Sequence, residues 1–505
     1  MTKYLMMMGT SSHVGKSVLA AAFCRIFFQD GKNVAPFKAQ NMALNSYVTR
    51  NGDEMGRAQV MQAEAAKINP TSNMNPVLLK PTGNASSQVI IMGKPIGTYS
   101  AKEYHEKISQ SAWENVKIAI ENLSNEHDTI VIEGAGSPAE VNLKANDIVN
   151  MKVAKYLNAP VILIADIDRG GALASLVGTL ELLDEDERNL VKGLVINKFR
   201  GDITLLQPAI DFLEEKTRKP VLGVLPYIEK LQIDDEDSVS LNDKINKETA
   251  PIKITVIRLP KISNFTDFDA LFDEEDVNLI YAENADEIYD TDLIILPGSK
   301  NTISDLMYIR NNGIETKIKE KLKDNTPLVA ICGGYQMIGK TIKDPNKIES
   351  DLGEISGMNL IDMETIFAEK KHTSQVNFDT KNISFLNINK SYKNLSGYEI
   401  HMGETLWSDE VNHPFTIKIK NEKYINEQEG VSTSLIFATY IHGIFDNDEF
   451  RNDILNAIKK RKNLPLIDYD KNKSRARVKE ENYNKLANIV RTNLDMKKIY
   501  EIMGD

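Results

Sequence analysis

Short apolar runs alternate with longer amphipathic stretches along the N-terminal half of the chain. The runs are continuous and rich in β-branched residues, which is typical of buried parallel strands, and the intervals between them accommodate crossover helices. The pattern predicts an α/β domain with a doubly wound parallel sheet over residues 1–226. The predicted strands are Lys3–Met8, Val34–Phe37, Thr129–Ile132, Val161–Ala165, Gly193–Ile196 and Val221–Val224.

A second α/β series follows an acidic, polar stretch, which we interpret as a linker over residues 227–250. This series defines a second domain at 251–447 and includes a polar, antiparallel region before its last strand. The remaining residues, 448–505, are charged and helix-prone, and the run Lys459–Lys462 indicates a solvated helical tail. The predicted strands of the second domain are Ile252–Leu259, Val277–Tyr281, Leu293–Leu296, Leu328–Ile331 and Ile436–Ile441.

Composition narrows the functional class. A chain of 505 residues is longer than one hydrophobic core usually serves, so we expect two or three domains. Hydrophobic residues make up 42% of the chain, which is enough to form their cores. A net charge of −11 argues against nucleic acid as a partner. We find neither a signal peptide nor an apolar run long enough to span a membrane. Cys24 and Cys332 lie far apart in sequence, so we expect no disulfide and a cytoplasmic location, with Cys24 in a core helix.

The first strand leads into Gly9-Thr10-Ser11-Ser12-His13-Val14-Gly15-Lys16-Ser17 and then into a predicted helix, Val18–Phe28. A glycine-containing loop that opens a helix directs N–H groups at phosphate oxygens, a lysine reaches the terminal phosphates, and a serine can bind Mg²⁺. The spacing is one residue longer than the common phosphate-loop pattern. The predicted ATP-binding residues in this loop are Gly9, Thr10, Val14, Gly15, Lys16 and Ser17.

Two further strand ends carry polar residues. Glu133 ends the run Ile130–Glu133 and is a candidate ligand for Mg²⁺ together with Ser17. Asn197 follows the strand Gly193–Ile196, where it could contact adenine or equally be a turn residue. The form of Ser137-Pro138-Ala139-Glu140 favours a helix-capping box.

Cys332 lies at a predicted nucleophile elbow, between a buried strand and a helix. Small residues allow the sharp turn, and N–H groups at the helix start can stabilise both a thiolate and an oxyanion. His442 follows another strand and is the candidate base. The predicted oxyanion and glutamine-binding residues are Gly298, Gly333, Gly334 and Gln336.

Several longer blocks resemble the cobyric acid synthase family, the glutamine-dependent amidotransferases of cobalamin biosynthesis. The resemblance runs from about Met1 to Asp446. The blocks are Lys38–Ser46, Glu54–Gln59, Met74–Pro81, Glu133–Glu140 and Ala165–Gly171.

The resemblance implies an N-terminal synthetase domain like dethiobiotin synthetase and a C-terminal class I glutamine amidotransferase domain. It implies amidation of the b, d, e and g carboxylates of adenosylcobyrinic acid a,c-diamide. ATP and glutamine are then consumed, and Mg²⁺ is required. A corrinoid polycarboxylate is then the expected partner, and a homo-oligomer is left open. It further implies that Glu54 adds a second acidic metal ligand and that the substrate contacts Lys38, Asn41, Arg57, Lys80 and Arg169.

Class I glutaminases generally have a glutamate two residues after the histidine, where this chain has Ile444. We therefore predict a Cys332–His442 dyad whose imidazole is oriented by some other acceptor.

Two alternatives remain at this point. Cobyrinic acid a,c-diamide synthase uses the same chemistry on an earlier substrate, but the block Gln40–Asn45 argues against it. A non-enzymatic ATPase switch would have a lysine five residues before the phosphate-loop lysine, and this chain has Ser11 there.

Overall fold

The computed structural model describes residues 2–82, 85–228, 231–234, 247–381, 383–408, 411–468 and 474–505. The chain divides into two compact units, neither of which is continuous in sequence. The first unit comprises Met1–Ala43, Met55–Asp234 and Ala476–Asp505, and the second comprises Leu44–Glu54 and Asp235–Arg475. The sequence predicts consecutive domains. In the structure, the short segment Leu44–Glu54 already belongs to the second unit, and the C-terminal segment from Ala476 belongs to the first. Most of the predicted linker, 227–250, lies outside the described residues.

The first unit contains a six-stranded parallel sheet, which confirms the predicted doubly wound architecture. Its strands are buried along most of their length because helices cover both faces of such a sheet. The register places the ends of the central strands at one edge, where polar side chains follow. In spatial order the strands are Val221–Pro226, Val191–Phe199, Val161–Asp166, Lys3–Gly9, Thr129–Glu133 and Val34–Phe37.

A smaller, mixed sheet in the first unit has four strands, in the order Gln40–Met42, Val77–Pro81, Ser86–Ile91 and Lys94–Ser100. The α-helices of this unit before its C-terminal segment are Lys16–Gln29, Arg57–Ala65, Ala101–Glu103, Ser109–Glu126, Met151–Leu157, Ala172–Leu182, Glu185–Leu190 and Gln207–Thr217.

The C-terminal helices Arg475–Asn493 and Met496–Met503 are packed rather than solvated, which differs from the predicted tail. Tyr483, Leu486 and Val490 recur at helical spacing among charged residues and join the core of the first unit. Lys459, also predicted to be solvated, is buried in the helix Asp448–Arg461 and pairs with Asp276 at 2.5 Å. Apolar spacing outweighs local charge density in both cases.

The second unit contains a sheet with five parallel strands and one short antiparallel edge strand. In spatial order they are Val277–Ala282, Ile252–Ile257, Leu293–Leu296, Leu328–Ile331, Ile436–Thr439 and Val431–Ser432. The predicted strand Ile436–Ile441 divides, because its end crosses to a second sheet as Ile441–His442.

That second sheet is largely antiparallel, as the polar pattern predicts. Its strands are Glu354–Ser356, Thr341–Lys343, Met363–Thr380, Leu395–Trp407, Ile441–His442, Phe415–Lys420 and Lys423–Glu429. The α-helices of the unit are Asp269–Asp273, Thr302–Asn311, Ile314–Lys323, Gly333–Met337 and Asp448–Arg461, and a short hairpin pairs Ser46–Val48 with Glu54–Gly56.

Candidate active sites

The predicted phosphate loop joins the strand Lys3–Gly9 to the helix Lys16–Gln29. Gly15 has φ 100°, and a Cβ there would lie 2.2 Å from the Asn197 side chain, so only glycine fits. A Cβ on Gly9 would lie 2.5 Å from Val14. The Lys16 ammonium donates to the carbonyls of Ser11 at 2.8 Å and Gly136 at 3.1 Å. The lysine is therefore held over the loop, where the sequence predicts the terminal phosphates.

Glu133 lies at the end of its strand, fully buried. One carboxylate oxygen accepts hydrogen bonds from the Ser17 hydroxyl and the Lys38 ammonium, each at 2.8 Å. The other oxygen accepts from Gln62 at 2.6 Å and from Gln59 at 3.3 Å. A buried carboxylate needs such compensation, and here a cation and several dipoles provide it.

The residues present fit a magnesium ion bound with a nucleotide. Among the described residues, no group of three or more His, Cys, Asp or Glu side chains could hold a metal. Magnesium in nucleotide sites takes one or two carboxylates and completes its shell with phosphate oxygens and water. Ser17 and Glu133 supply one hydroxyl and one carboxylate, which matches that donor set.

The Asn197 side chain forms a hydrogen bond with the phosphate loop. Its amide nitrogen donates to the Val14 carbonyl at 2.7 Å, and its oxygen accepts from the Lys198 N–H at 2.9 Å. Thr10 is fixed by its N–H, which donates to Ile164 at 2.9 Å. The predicted capping box at Ser137 is wrong, because no helix begins there and the Ser137 hydroxyl instead closes a turn with the Ala139 N–H.

Two of the residues predicted to bind substrate share one hydrogen-bond network. Lys38 pairs with Glu133, and the Asn41 amide donates to Gln59, which itself donates to Glu133. Arg57 forms a buried ion pair with Asp234. Lys80 is buried in its strand and Arg169 is exposed in a loop. Glu54 belongs to the second unit, where it pairs with Lys371 at 2.5 Å and accepts from Ser46 at 3.0 Å. The role of Glu54 as a second metal ligand stays a prediction.

A cavity of about 870 Å³ lies in the first unit beside the phosphate loop. The loop contributes Ser11 and Ser12 to its wall, and the four-stranded sheet contributes Leu79 and Val89. Charged side chains of both signs contribute to its lining, namely Lys144, Glu140 and Asp147. Most of its polar lining is neutral: Gln40, Ser86, Ser87, Tyr99, Ser100, Tyr104, Ser137, Asn146 and Asn150. Sequence reasoning missed this cavity because distant segments form it.

Cys332 forms the predicted elbow between the strand Leu328–Ile331 and the helix Gly333–Met337. Its backbone has φ 52° and ψ −107°, an uncommon conformation for a residue with a side chain. The turn requires small neighbours, since a Cβ on Gly334 would lie 2.1 Å from the Leu296 carbonyl. The Cys332 thiol donates to the Ile400 carbonyl at 3.3 Å. Cys24, by contrast, is buried inside its helix, as predicted.

His442 is completely buried, and its Nδ1 lies 2.7 Å from the Asp267 carboxylate. The second Asp267 oxygen accepts from the Gly443 N–H at 2.9 Å. Burial works to lower the pKa of His442, but the Asp267 and Cys332 charges outweigh burial and raise that pKa to about 10. Asp267 is therefore the acceptor that the sequence analysis left unnamed.

Asp267 is 175 positions from His442 in sequence, so no local pattern links the two. The available signal is weak: a carboxylate shortly after a strand, Ile252–Ile257, in a parallel sheet. Ile444, at the position where a glutamate is usual, is instead fully buried among apolar residues.

The other four residues predicted for the glutaminase site differ in their contacts. A Cβ on Gly298 would lie 3.2 Å from the His442 ring. The Gly334 N–H donates to Pro297 at 3.0 Å, which commits it to the loop. The Gln336 amide is buried, accepts from Thr302 at 2.9 Å and donates to Tyr440 at 3.4 Å. A Cβ on Gly333 would lie 2.8 Å from the Ser299 nitrogen.

Comparison with known proteins agrees with this pair of sites. Residues 5–241 match the CobQ/CobB/MinD/ParA nucleotide binding domain, and residues 253–450 match the CobB/CobQ-like glutamine amidotransferase domain. Cobyric acid synthase of Desulfitobacterium hafniense is 51% identical over 99% of this chain and 98% of its own length. The chain belongs to the cobyric acid synthase family.

Two further relatives bear the same name. That of Carboxydothermus hydrogenoformans is 50% identical over 100% of both chains, and that of Moorella thermoacetica is 49% identical over 100% of this chain and 98% of its own. Similarity along the whole chain does not fit a nucleotide switch that lacks a second domain. None of the helices in the described part of the chain is long and apolar enough to cross a membrane.

Proposed function

We propose that this chain converts carboxylates of a corrinoid into carboxamides, with glutamine as the nitrogen source and ATP as the activating reagent. The proposed substrate is adenosylcobyrinic acid a,c-diamide, amidated at the b, d, e and g positions to adenosylcobyric acid. The observation that carries the proposal is the presence, in one chain, of a phosphate loop beside Glu133 and a Cys332–His442–Asp267 triad. Similarity to cobyric acid synthases over the full chain supports the corrinoid as acceptor.

The triad supports hydrolysis of glutamine. The Cys332 sulfur attacks the side-chain amide carbon, and the C–N bond breaks as His442 gives a proton to the departing nitrogen. Ammonia leaves, and a thioester remains on Cys332. Water then attacks the thioester with His442 as base, which releases glutamate and restores the thiol. Asp267 holds the imidazole in position and stabilises its charged form throughout. The N–H groups of Gly298 and Gly333 are our proposed oxyanion donors.

The phosphate loop supports activation of the acceptor. A carboxylate at neutral pH has no leaving group, so ammonia cannot displace oxygen from it directly. Lys16 and the loop N–H groups bind the phosphates and stabilise their charge while a phosphoryl group passes to the carboxylate. Ammonia then attacks that carbon and phosphate departs. Magnesium, held by Ser17 and Glu133 when bound, would neutralise phosphate charge.

The cavity beside the loop is the proposed corrinoid site. At about 870 Å³ it lies at the upper end of the range for small-molecule pockets, as a macrocycle requires. Hydroxyl and amide groups can hydrogen-bond carboxylates and carboxamides alike. A lining of mainly neutral polar groups therefore accepts the substrate and each partly amidated product, whereas a strongly cationic lining would favour the substrate alone.

Product analysis tests this function. The chain is incubated with cobyrinic acid a,c-diamide, glutamine and magnesium ATP, and the corrinoid products are examined by mass spectrometry. Each amidation shifts the mass by the same amount, so the spectrum counts them. Four successive amidations are expected. A corrinoid that stays unchanged under conditions in which glutamate is released would refute the proposal. In a parallel incubation with cobyrinic acid, amidation only at a and c would identify the diamide synthase instead.

A further inference from the structure

The segment Leu44–Glu54 is an excursion of the N-terminal half of the sequence into the second unit. We call it the excursion segment. The segment contains the strand Ser46–Val48, the first strand of a short hairpin. Asn45, Ser46 and Val48 are fully buried. Burial of so polar a stretch requires specific hydrogen-bond partners. Those partners lie beside the glutaminase residues.

The first set of contacts reaches Asp267. The Ser46 N–H donates to the Asn264 side chain at 3.0 Å, and the Thr266 hydroxyl donates to the Asn45 side chain at 3.2 Å. Asn264 and Thr266 belong to the turn that carries Asp267, whose N–H donates to the Asn264 carbonyl at 3.0 Å. The excursion segment therefore fixes the turn that orients His442.

The second set of contacts reaches His442 and Cys332 through Tyr398 and Ile400. The Tyr47 ring packs against Tyr398 with centroids 5.3 Å apart, and Tyr398 stacks on the His442 imidazole at 5.2 Å and 20°. Val48 packs with Tyr398 and Ile400 in one buried cluster. Ile400 is the residue whose carbonyl accepts from the Cys332 thiol.

The far end of the hairpin is anchored separately. The buried Glu54–Lys371 ion pair and the hydrogen bond from Thr373 to the Gly52 carbonyl at 2.8 Å hold it. These contacts fix the far end of the segment within the second unit.

We infer that the excursion segment positions Cys332, His442 and Asp267 for glutamine hydrolysis. The inference rests on the proposed function, because it takes these three residues as the groups that hydrolyse glutamine. Asn45 and Tyr47 are positioning residues in this scheme, since they act through Thr266 and Tyr398.

Replacement of Tyr47 tests the positioning role in the full-length chain. Tyr47→Ala should lower kcat for glutamate release roughly 10–100-fold with little change in KM, since small displacements of reacting groups cost rates of this order. Tyr47→Phe, which keeps the ring, should restore the rate. Amidation driven by high ammonium should stay at the parent rate in both. Tyr424 is 88% exposed in the same unit, so Tyr424→Ala is the matched control. A parental kcat in Tyr47→Ala, or an equal loss of both activities, would overturn the inference.

Thr266 tests the first set of contacts. Thr266→Val removes the hydroxyl that bonds Asn45 and keeps the shape, whereas Thr266→Ser keeps the hydroxyl. Thr266→Val should lower kcat for glutamate release more than Thr266→Ser does, with ammonium-dependent amidation unchanged in both. Equal rates of glutamate release in the two variants would contradict the role of this contact. If the parent fails to amidate the corrinoid even with ammonium, the proposed function fails, while the Tyr47 comparison still decides the positioning role.

Discussion

The two sites differ in how sequence encodes them. The proposed phosphate loop consists of consecutive residues, Gly9 to Ser17, and its proposed binding groups are mainly backbone N–H groups, so a short stretch of sequence is enough to indicate it. The glutaminase site is built from three side chains on separate segments, Asp267, Cys332 and His442. A backbone site can therefore be identified from a short pattern, whereas a side-chain site requires the fold that brings its members together.

The two sites also differ in the groups that surround their buried ionisable side chains. The Glu133 carboxylate is surrounded by hydrogen-bond donors from Ser17, Lys38 and Gln62. His442 lies between a carboxylate and a thiol, which suits a group that gains and loses a proton during turnover. Substitutions that separate the two activities are the direct way to test this contrast.

Removal of the nucleophile should have the largest effect. Cys332→Ala should lower glutamine-dependent amidation by roughly 10⁴–10⁶-fold, the scale for loss of a covalent nucleophile. Amidation with high ammonium should persist, because the first unit contains the phosphate loop and Glu133. Both rates are measured from amidated corrinoid. Cys24→Ala is the matched control, and loss of both activities in a folded Cys332→Ala chain would argue that the sites are not separable.

Loss of the loop lysine should give the complementary result. Lys16→Ala should lower amidation from both glutamine and ammonium by roughly 10³-fold or more, since a cation that stabilises phosphoryl transfer contributes on this scale. Basal glutamate release should remain. Lys102, 82% exposed, provides the control Lys102→Ala. Near-normal ammonium-dependent amidation in Lys16→Ala would show that the glycine loop is only a turn.

The same contrast explains which features the sequence could predict. Buried parallel strands appear as continuous apolar runs, so both parallel sheets and the loop before Lys16 were predictable. The packing of Tyr483 and Val490 was not, because their spacing lies within a highly charged segment. Asp267 and the cavity depend on contacts between residues far apart in sequence, and the excursion segment depends on where the chain crosses between units.

Removal of the orienting carboxylate should have a smaller effect than loss of the nucleophile. Asp267→Asn should lower kcat for glutamate release by roughly 10²–10⁴-fold, because an amide keeps the shape but no longer stabilises the imidazolium. Ammonium-dependent amidation should be unchanged. Asp269→Asn, in the same short segment, is the control. A parental rate of glutamate release in Asp267→Asn would exclude this carboxylate from the mechanism.

The pH response of His442 sharpens that test. Asp267 and Cys332 raise the pKa of His442 to about 10 against the effect of burial, so the imidazolium persists at neutral pH and is lost as pH rises through about 10. In Asp267→Asn the contribution of the carboxylate is lost and only Cys332 opposes the effect of burial, so the imidazolium should be lost at a lower pH. NMR titration of ¹³C-labelled histidine, with His442→Ala to assign the signal, measures this. An unchanged midpoint would contradict the role of Asp267.

Introduction of the glutamate usual in class I glutaminases should have the smallest effect on catalysis. Ile444→Glu should not raise glutamate release, because Asp267 already accepts from the His442 Nδ1. Ile444 is fully buried in the apolar core, so a carboxylate there should lower the melting temperature by the cost of an uncompensated buried charge. Ile444→Val is the control and should cost about 0.5–1.5 kcal/mol without a change in rate. A tenfold gain in Ile444→Glu would mean that Asp267 orients the imidazole poorly and is not an effective third member of the triad.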